Sequence, residues 1–284
     1  MIVDAHTHVF APVSERFPRD VHELFPAEHE APVEVLLAEM ERAGVDRAVV
    51  VPLSPHDEYV RDGLERHPGR FAAIGVAGPV ESTEGYRARR EVAGLQGLRL
   101  FSLGSGPGAR ADELGAYPLL AELERLGDKL WFYGGREQME LLALLLGALP
   151  GLTVVLNHLG YWPGPFEADE HGRPRFSDPY GDENLAAVCA LARFPGVHVL
   201  ATGMYAFAVE PCPYEDLRRV VSALLDAFGP RRILLGSDFP WIAEEPGYEA
   251  TLCAVDALLR GLDAEGRAAV WGGNAARLFG FEQM

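Results

Sequence analysis

Cysteine is scarce in this chain: Cys189, Cys212 and Cys253 are the whole complement of 284 residues. Three scattered thiols exclude a disulfide framework and a cysteine-based zinc site, and they fit a reducing, cytoplasmic setting. Lysine is scarcer, with Lys129 alone. Positive charge as a whole is in deficit, 25 Lys+Arg against 42 Asp+Glu for a net charge of −17. Such a surface repels a nucleic-acid backbone or an anionic membrane. The longest apolar stretch, around Leu141 to Leu149, is far short of the ~20 residues of a membrane span. No basic segment followed by an apolar one opens the chain, so an unexported, soluble protein is expected. A small-molecule substrate is the expected partner, with neither nucleic acid nor membrane; whether the chain forms a homo-oligomer is left open.

What is present is a regular alternation. With 48% hydrophobic residues the chain can bury a sizeable core. Short β-branched runs bounded by Gly, Pro or Asp predict strands near 2–6, 47–52, 71–76, 97–101, 130–133, 152–157, 197–201 and 232–236. Apolar spacing near 3.6 predicts helices near 32–43, 57–67, 82–93, 117–126, 136–148, 182–194, 214–228 and 248–260. Eight strand and helix pairs predict one α/β domain over residues 1–284, a closed (β/α)8 TIM barrel, because parallel strands need crossovers and closure removes the sheet edges. An open doubly wound sheet is the rival, but His6-Thr7-His8 follows the first strand where that fold would carry a glycine-rich phosphate loop.

The long connections 9–31, 102–116 and 158–181 all follow strand C-termini, the face on which such barrels build their sites. The last mixes aromatics, proline and both charges without a helical period and reads as a lid. Residues 264–284 read as a short helix and a capping segment, broken at Gly272-Gly273-Asn274.

Chemistry-bearing residues gather at the same strand ends. Period 2 puts His6 and His8 on one face of the first strand, either side of Thr7. His158 closes the sixth predicted strand. Asp238 closes the eighth, which in a closed barrel lies beside the first. Each has a plain structural alternative: a hydrogen-bonded core histidine, a loop anchor for His158, a helix cap before Pro240 for Asp238. Arg99 ends the fourth strand, where a guanidinium can fork onto a carboxylate or form a rim salt bridge. Ser54 and His56 end the second. Trp162, Tyr205 and Trp241 could wall a ring-shaped substrate or simply pack. Arg173 and Arg175 in the lid read as solvated charges ahead of substrate ligands.

Asp4-Ala5-His6-Thr7-His8, Asn157-His158-Leu159-Gly160, Gly236-Ser237-Asp238-Phe239-Pro240-Trp241 and Gly273-Asn274-Ala275-Ala276-Arg277-Leu278-Phe279, in that order over most of the chain, resemble the amidohydrolase superfamily. The closer likeness is to its amidohydrolase-2 branch, which holds pyrone-dicarboxylate and sugar-acid lactonases alongside aminocarboxymuconate-semialdehyde and resorcylate decarboxylases. The resemblance implies that His6, His8, His158 and Asp238 are the catalytic set. Metal-dependent members carry another histidine at the end of the fifth strand, where Tyr133 stands here; a phenol of pKa about 10 is a poor zinc ligand. Two-metal members need a modified lysine at the end of the fourth strand, and Lys129 starts the fifth, on the wrong face. The resemblance therefore leaves two arrangements open, one divalent ion such as zinc on His6, His8 and Asp238, with or without His158, and none.

The expected reaction is hydrolysis of a lactone of a sugar acid or of an aromatic-degradation acid. Asp238 activates water, the histidines polarise the carbonyl, directly or through a metal, and Arg99, Tyr133, His56 and Trp241 hold the substrate. The alternatives are a zinc-dependent non-oxidative decarboxylase of an unsaturated or aromatic acid and a barrel that binds a ligand without turning it over.

Overall fold

The computed structural model describes residues 1–105, 110–161, 165–176 and 180–281. In chain order the elements are β1 (Val3–Thr7), α1 (Val33–Ala43), β2 (Arg47–Val50), α2 (Glu58–Arg66), β3 (Phe71–Val76), α3 (Thr83–Ala93), β4 (Leu95–Arg99), α4 (Tyr117–Leu126), β5 (Lys129–Gly134), α5 (Arg136–Ala148) and β6 (Thr153–Tyr161). They continue with β7 (Phe166–Ala168), β8 (Pro174–Phe176), α6 (Asp182–Ala190), β9 (Val197–Ala201), α7 (Met204–Phe207), α8 (Arg218–Phe228), β10 (Ile233–Leu235), α9 (Tyr248–Leu258), α10 (Ala264–Ala268) and α11 (Asn274–Phe279).

Eight strands pair in parallel in the order β1-β2-β3-β4-β5-β6-β9-β10, the expected (β/α)8 arrangement. The circle closes just beyond β10. Asp238 N donates to His6 O at 3.0 Å and His8 N to Phe239 O at 2.7 Å, so closure itself sets Asp238 beside the two histidines. The apolar residues divide accordingly. Val3, Ala5, Val49, Ile74, Trp131 and Leu200 fill the barrel interior with Ala275 and Phe279 of α11, which plug its N-terminal end. The larger cluster lies between strands and helices. Burial at roughly 25 cal/mol per Å² of apolar surface is what holds both layers.

The break expected in the C-terminal segment falls at Gly272. A Cβ there would stand 2.4 Å from Met1 O, so glycine is what lets this segment lie directly on the start of β1. No helix among the described residues is long and apolar enough to cross a membrane.

Boundaries move by a few residues. The strand expected at 97–101 starts at Leu95, because Gly94 closes α3 in the left-handed conformation with no spacer. The helix expected at 182–194 ends at Ala190 and tightens into a 3₁₀ turn, and the one expected at 214–228 begins with such a turn over Glu215–Leu217. The segment expected as an aperiodic lid contains the antiparallel hairpin β7-β8. Arg173 is not the solvated charge expected: it is buried, pairs with Asp169 at 2.8 Å and donates to Glu245 O, pinning the hairpin to the loop after β10. Arg175 likewise donates to Ala208 O at 2.9 Å.

Candidate active site

Three local departures from regular strand geometry aim the key side chains. In β1 the pairing to β2 passes from Asp4 with Ala48 to Thr7 with Val50, a bulge that puts one extra residue on β1. Ala5 packs in the barrel interior and the next residue, His6, faces inward as well. Bulges re-aim side chains in this way beside active sites. In β6, Val155 points inward, so strict alternation would bring in Asn157. The backbone instead turns left-handed at His158 (φ 46) and Leu159 (φ 60), and Asp238 sits at φ 67. Non-glycine residues there cost about 1–3 kcal/mol each and persist where surrounding structure enforces them. His158 also needs Gly203, since a Cβ at that position would lie 2.4 Å from its Nδ1.

These turns bring the four expected residues together at the C-terminal mouth. Asp238 Oδ1 lies 3.4 Å from His6 Nε2 and 3.5 Å from His8 Nε2, and Oδ2 lies 3.9 Å from His158 Nδ1. The His6 ring is edge-on to those of His8 and His158, at 4.8 and 5.2 Å between centroids. Tyr205 OH donates to Asp238 Oδ2 at 2.7 Å. Asp238 Oδ1, His6 Nε2 and His158 Nδ1 are buried without a hydrogen-bond partner. Asp238, His158 and His8 line the floor of a pocket of about 420 Å³ that also takes in Arg99, Tyr133 and Trp241, with His6 packed against them out of reach of the cavity.

Burial sets most of the protonation states. It holds His158 down at about 4 and His6 well below the usual imidazole range, so both are neutral at pH 7. It pushes Asp238 up, but the positive charge that His158 and His6 take on in acid outweighs burial and keeps this carboxyl ionised to well below the usual range. It also raises the phenols of Tyr133 and Tyr205, which stay protonated.

Arg99 is the local counterweight to a strongly acidic protein. Its guanidinium lies over the rings of Phe101 and Tyr133, at 5.1 and 4.9 Å, and donates to Tyr133 OH at 2.7 Å. Its Nε is buried without a partner.

Hydrogen bonds to Asp4, beneath the pocket, hold its floor. Asp4 accepts from Ser237 N (2.9 Å), Ser237 Oγ (2.5 Å), Tyr248 OH (2.7 Å) and His6 N (3.2 Å), tying the first and last barrel strands together. Burial pushes its carboxyl up to about 6 against these bonds. Asp4 and Trp131 went unread in the sequence, although Trp131 lies two residues before Tyr133 on the same face and Asp4 opens the His6 motif. Tyr205, in sequence a substrate wall or a packing aromatic, is a hydrogen-bond donor to Asp238.

His56 does not join the pocket. It faces Asp20 at 3.7 Å beside a separate small cavity, and Ser54 accepts from Asp20 N; the long β1–α1 connection runs beside both and leaves the His56 side chain partly exposed. Trp162 lies outside the described residues.

His6, His8 and Asp238 bring three ligand atoms of metal-binding type within 4.8 Å of one another, and whether they fit an ion depends on where the two rings carry their protons. The hydrogen bonds of the two rings differ. His8 Nδ1 meets Val51 O at 2.8 Å, which fixes the proton on Nδ1 and leaves a lone pair on Nε2, as in most metal-binding histidines. His6 Nδ1 meets Trp131 Nε1 at 3.1 Å. An indole nitrogen only donates, so Nδ1 must accept and the neutral ring carries its proton on Nε2, the atom a metal would need.

The chain is 27% identical to an L-fucono-1,5-lactonase of Burkholderia ambifaria over 98% of this chain and 94% of that relative. It is 29% identical to an L-fucono-1,5-lactonase of Burkholderia multivorans over 134 residues, 43% of this chain and 44% of that relative. Among solved structures, an amidohydrolase of Burkholderia multivorans with bound zinc superposes with a TM-score of 0.73 at 21% identity, covering 99% of this chain and all of the other. That last likeness carries the fold. The amidohydrolase family model matches residues 3–281, nearly the whole chain and every residue of the pocket floor, and the protein belongs to the amidohydrolase family.

Proposed function

We propose that the protein hydrolyses a lactone carrying a carboxylate, with Asp238 as general base. The observation behind this reading is the buried carboxylate at the pocket floor, whose Oδ1 has no hydrogen-bond partner, close to a guanidinium that pairs with no acid among the described residues. The names of the two lactonase relatives support the same reaction class.

The chemistry follows from the protonation states. Water beside Asp238 Oδ1 gives up a proton to the carboxylate as its oxygen attacks the lactone carbonyl carbon. The N–H of neutral His158 polarises the carbonyl and receives the developing oxyanion. Arg99 forks onto the substrate carboxylate. When the ring C–O bond breaks, protonated Asp238 returns its proton to the leaving oxygen, giving the open hydroxy acid. Tyr205 OH on Oδ2 and the His6 carbonyl on the Asp238 backbone N–H hold Asp238 in place throughout.

A zinc ion on His6, His8 and Asp238 does not fit while Trp131 donates to His6 Nδ1, because the third lone pair is missing. The same bond, with Tyr133 at the end of β5, counts against the zinc-dependent decarboxylase.

Parallel assays of a lactone panel, followed by acid release, and a panel of unsaturated and aromatic acids, followed by CO₂ release, test this reading. Lactone opening without CO₂ release is expected; the reverse overturns it. Arg99→Lys keeps the charge and loses the planar fork, so KM for a carboxylate-bearing lactone should rise by at least about tenfold with a smaller change in kcat. Unaltered KM would make Arg99 a rim support only.

A further inference from the structure

Above its floor the pocket changes character. Leu24, Phe25, Phe166, Phe176, Phe207 and Trp241 line the upper walls, drawn from the β1–α1 connection, the β7-β8 hairpin, α7 and the loop after β10. Their rings form one belt. Trp241 meets Phe25 at 6.3 Å, Phe25 stacks on His22 at 5.1 Å, and His22 meets Phe166 at 6.0 Å. Phe166 meets Phe176 at 6.3 Å, and Phe176 stacks on Phe207 at 5.1 Å.

Polar side-chain groups in this upper zone are few among the described residues: the Gln138 amide, the His22 imidazole and the indole N–H of Trp241. Gln138 accepts from Leu103 N at 2.8 Å and donates to Gly104 O at 3.0 Å, which satisfies its amide at the backbone. His22 Nδ1 accepts from Leu24 N at 3.2 Å. A sugar lactone places a hydroxyl on nearly every ring carbon, and each needs a partner once water is displaced. These walls offer rings instead.

We infer that the lactone this site takes carries an alkyl or aryl substituent on the ring, seated in the aromatic belt, rather than the hydroxyls of a sugar lactone. The inference rests on the lactonase reading and narrows its substrate class. The polar end of the substrate meets Arg99, His158 and Asp238 at the floor, and the apolar end fills the belt at the mouth. Each methylene that enters the belt should raise kcat/KM about fourfold, the worth of burying one CH₂. Each hydroxyl stranded there should lower it by about tenfold.

The test compares two sets of substrates on the full-length protein. One set is a five-membered lactone bearing a single ring carboxylate and an alkyl tail lengthened from one to four carbons. The other is an aldaric acid lactone, with the same carboxylate and with hydroxyls in place of the tail. The expected result is a kcat/KM that climbs with tail length and exceeds the aldaric lactone by about a hundredfold or more. Phe166→Ser, on the partly exposed hairpin, should flatten the climb. A higher kcat/KM for the aldaric lactone, or a tail series that is flat in the wild type, overturns this inference and leaves the lactonase reading standing. Failure to open any lactone overturns both.

Discussion

Replacing Asp238 with Asn is expected to lower kcat/KM for lactone hydrolysis by about 10²–10⁴-fold, the usual worth of a general base, while the protein folds as before. The variant removes the proton acceptor and little else. Tyr205 OH still finds an oxygen at Oδ2's place, 2.7 Å away in the wild type. The left-handed backbone at residue 238 (φ 67) suits Asn as well as Asp, whereas Ala would add strain. Steady-state kinetics with a thermal melt of the same preparation check both halves. Turnover near the wild-type rate would move the base to His8, whose Nε2 carries the other lone pair facing the pocket floor.

The second large effect is on stability in acid. Burial holds His158 and His198 at about 4 and His6 well below 6.5. All three are neutral in the folded protein at pH 7, and the unfolded chain begins to protonate them near 6.5. Their contribution is level above that pH and falls as pH drops from 6.5 to 4, because only the unfolded state gains protons. At 1.36 kcal/mol per pH unit, His158 and His198 each withdraw about 3 kcal/mol by pH 4. Asp4 works in the opposite direction. Its carboxyl, pushed up to about 6, protonates in the folded state before the unfolded one and returns about 3 kcal/mol over pH 6 to 3.8. Three imidazoles against one carboxyl leave a net loss of at least about 3 kcal/mol, a large share of the 5–15 typical of a protein. Urea unfolding at pH 7 and pH 4.5 measures it. A stability that holds level or rises across that window would mean the histidines are charged in the folded state.

The architecture was legible because its signals are redundant. β-branched runs bounded by glycine and proline repeat eight times, and closure then requires that the first and last strands meet, which is why Asp238 could be placed beside His6 and His8. How the side chains reach the centre was not legible. Alternation predicts an inward Asn157, and it is the left-handed turn at His158 that brings the imidazole in. The β1 bulge gives His6 its direction after Ala5 has already pointed inward. Such turns are held by tertiary packing, against local preference, and leave no periodic trace. Trp131 was hidden for another reason: an indole in a barrel strand reads as core, and only its contact with His6 Nδ1 gives it a part in the site. His56 lies apart from the pocket because a strand end locates a residue on the right face without saying which cavity of that face it will line.

The measurement that bears most directly on Asp238 acting without a metal is lactone turnover by protein stripped with chelator, its metal content fixed by elemental analysis, before and after zinc is returned. With Trp131 holding His6 as the Nε2–H form, kcat/KM should be the same in both samples, with metal far below one equivalent in the first. Activity that disappears on stripping and returns with one equivalent of zinc would contradict this, and would put the ion on His6, His8 and Asp238 with the Trp131–His6 bond broken.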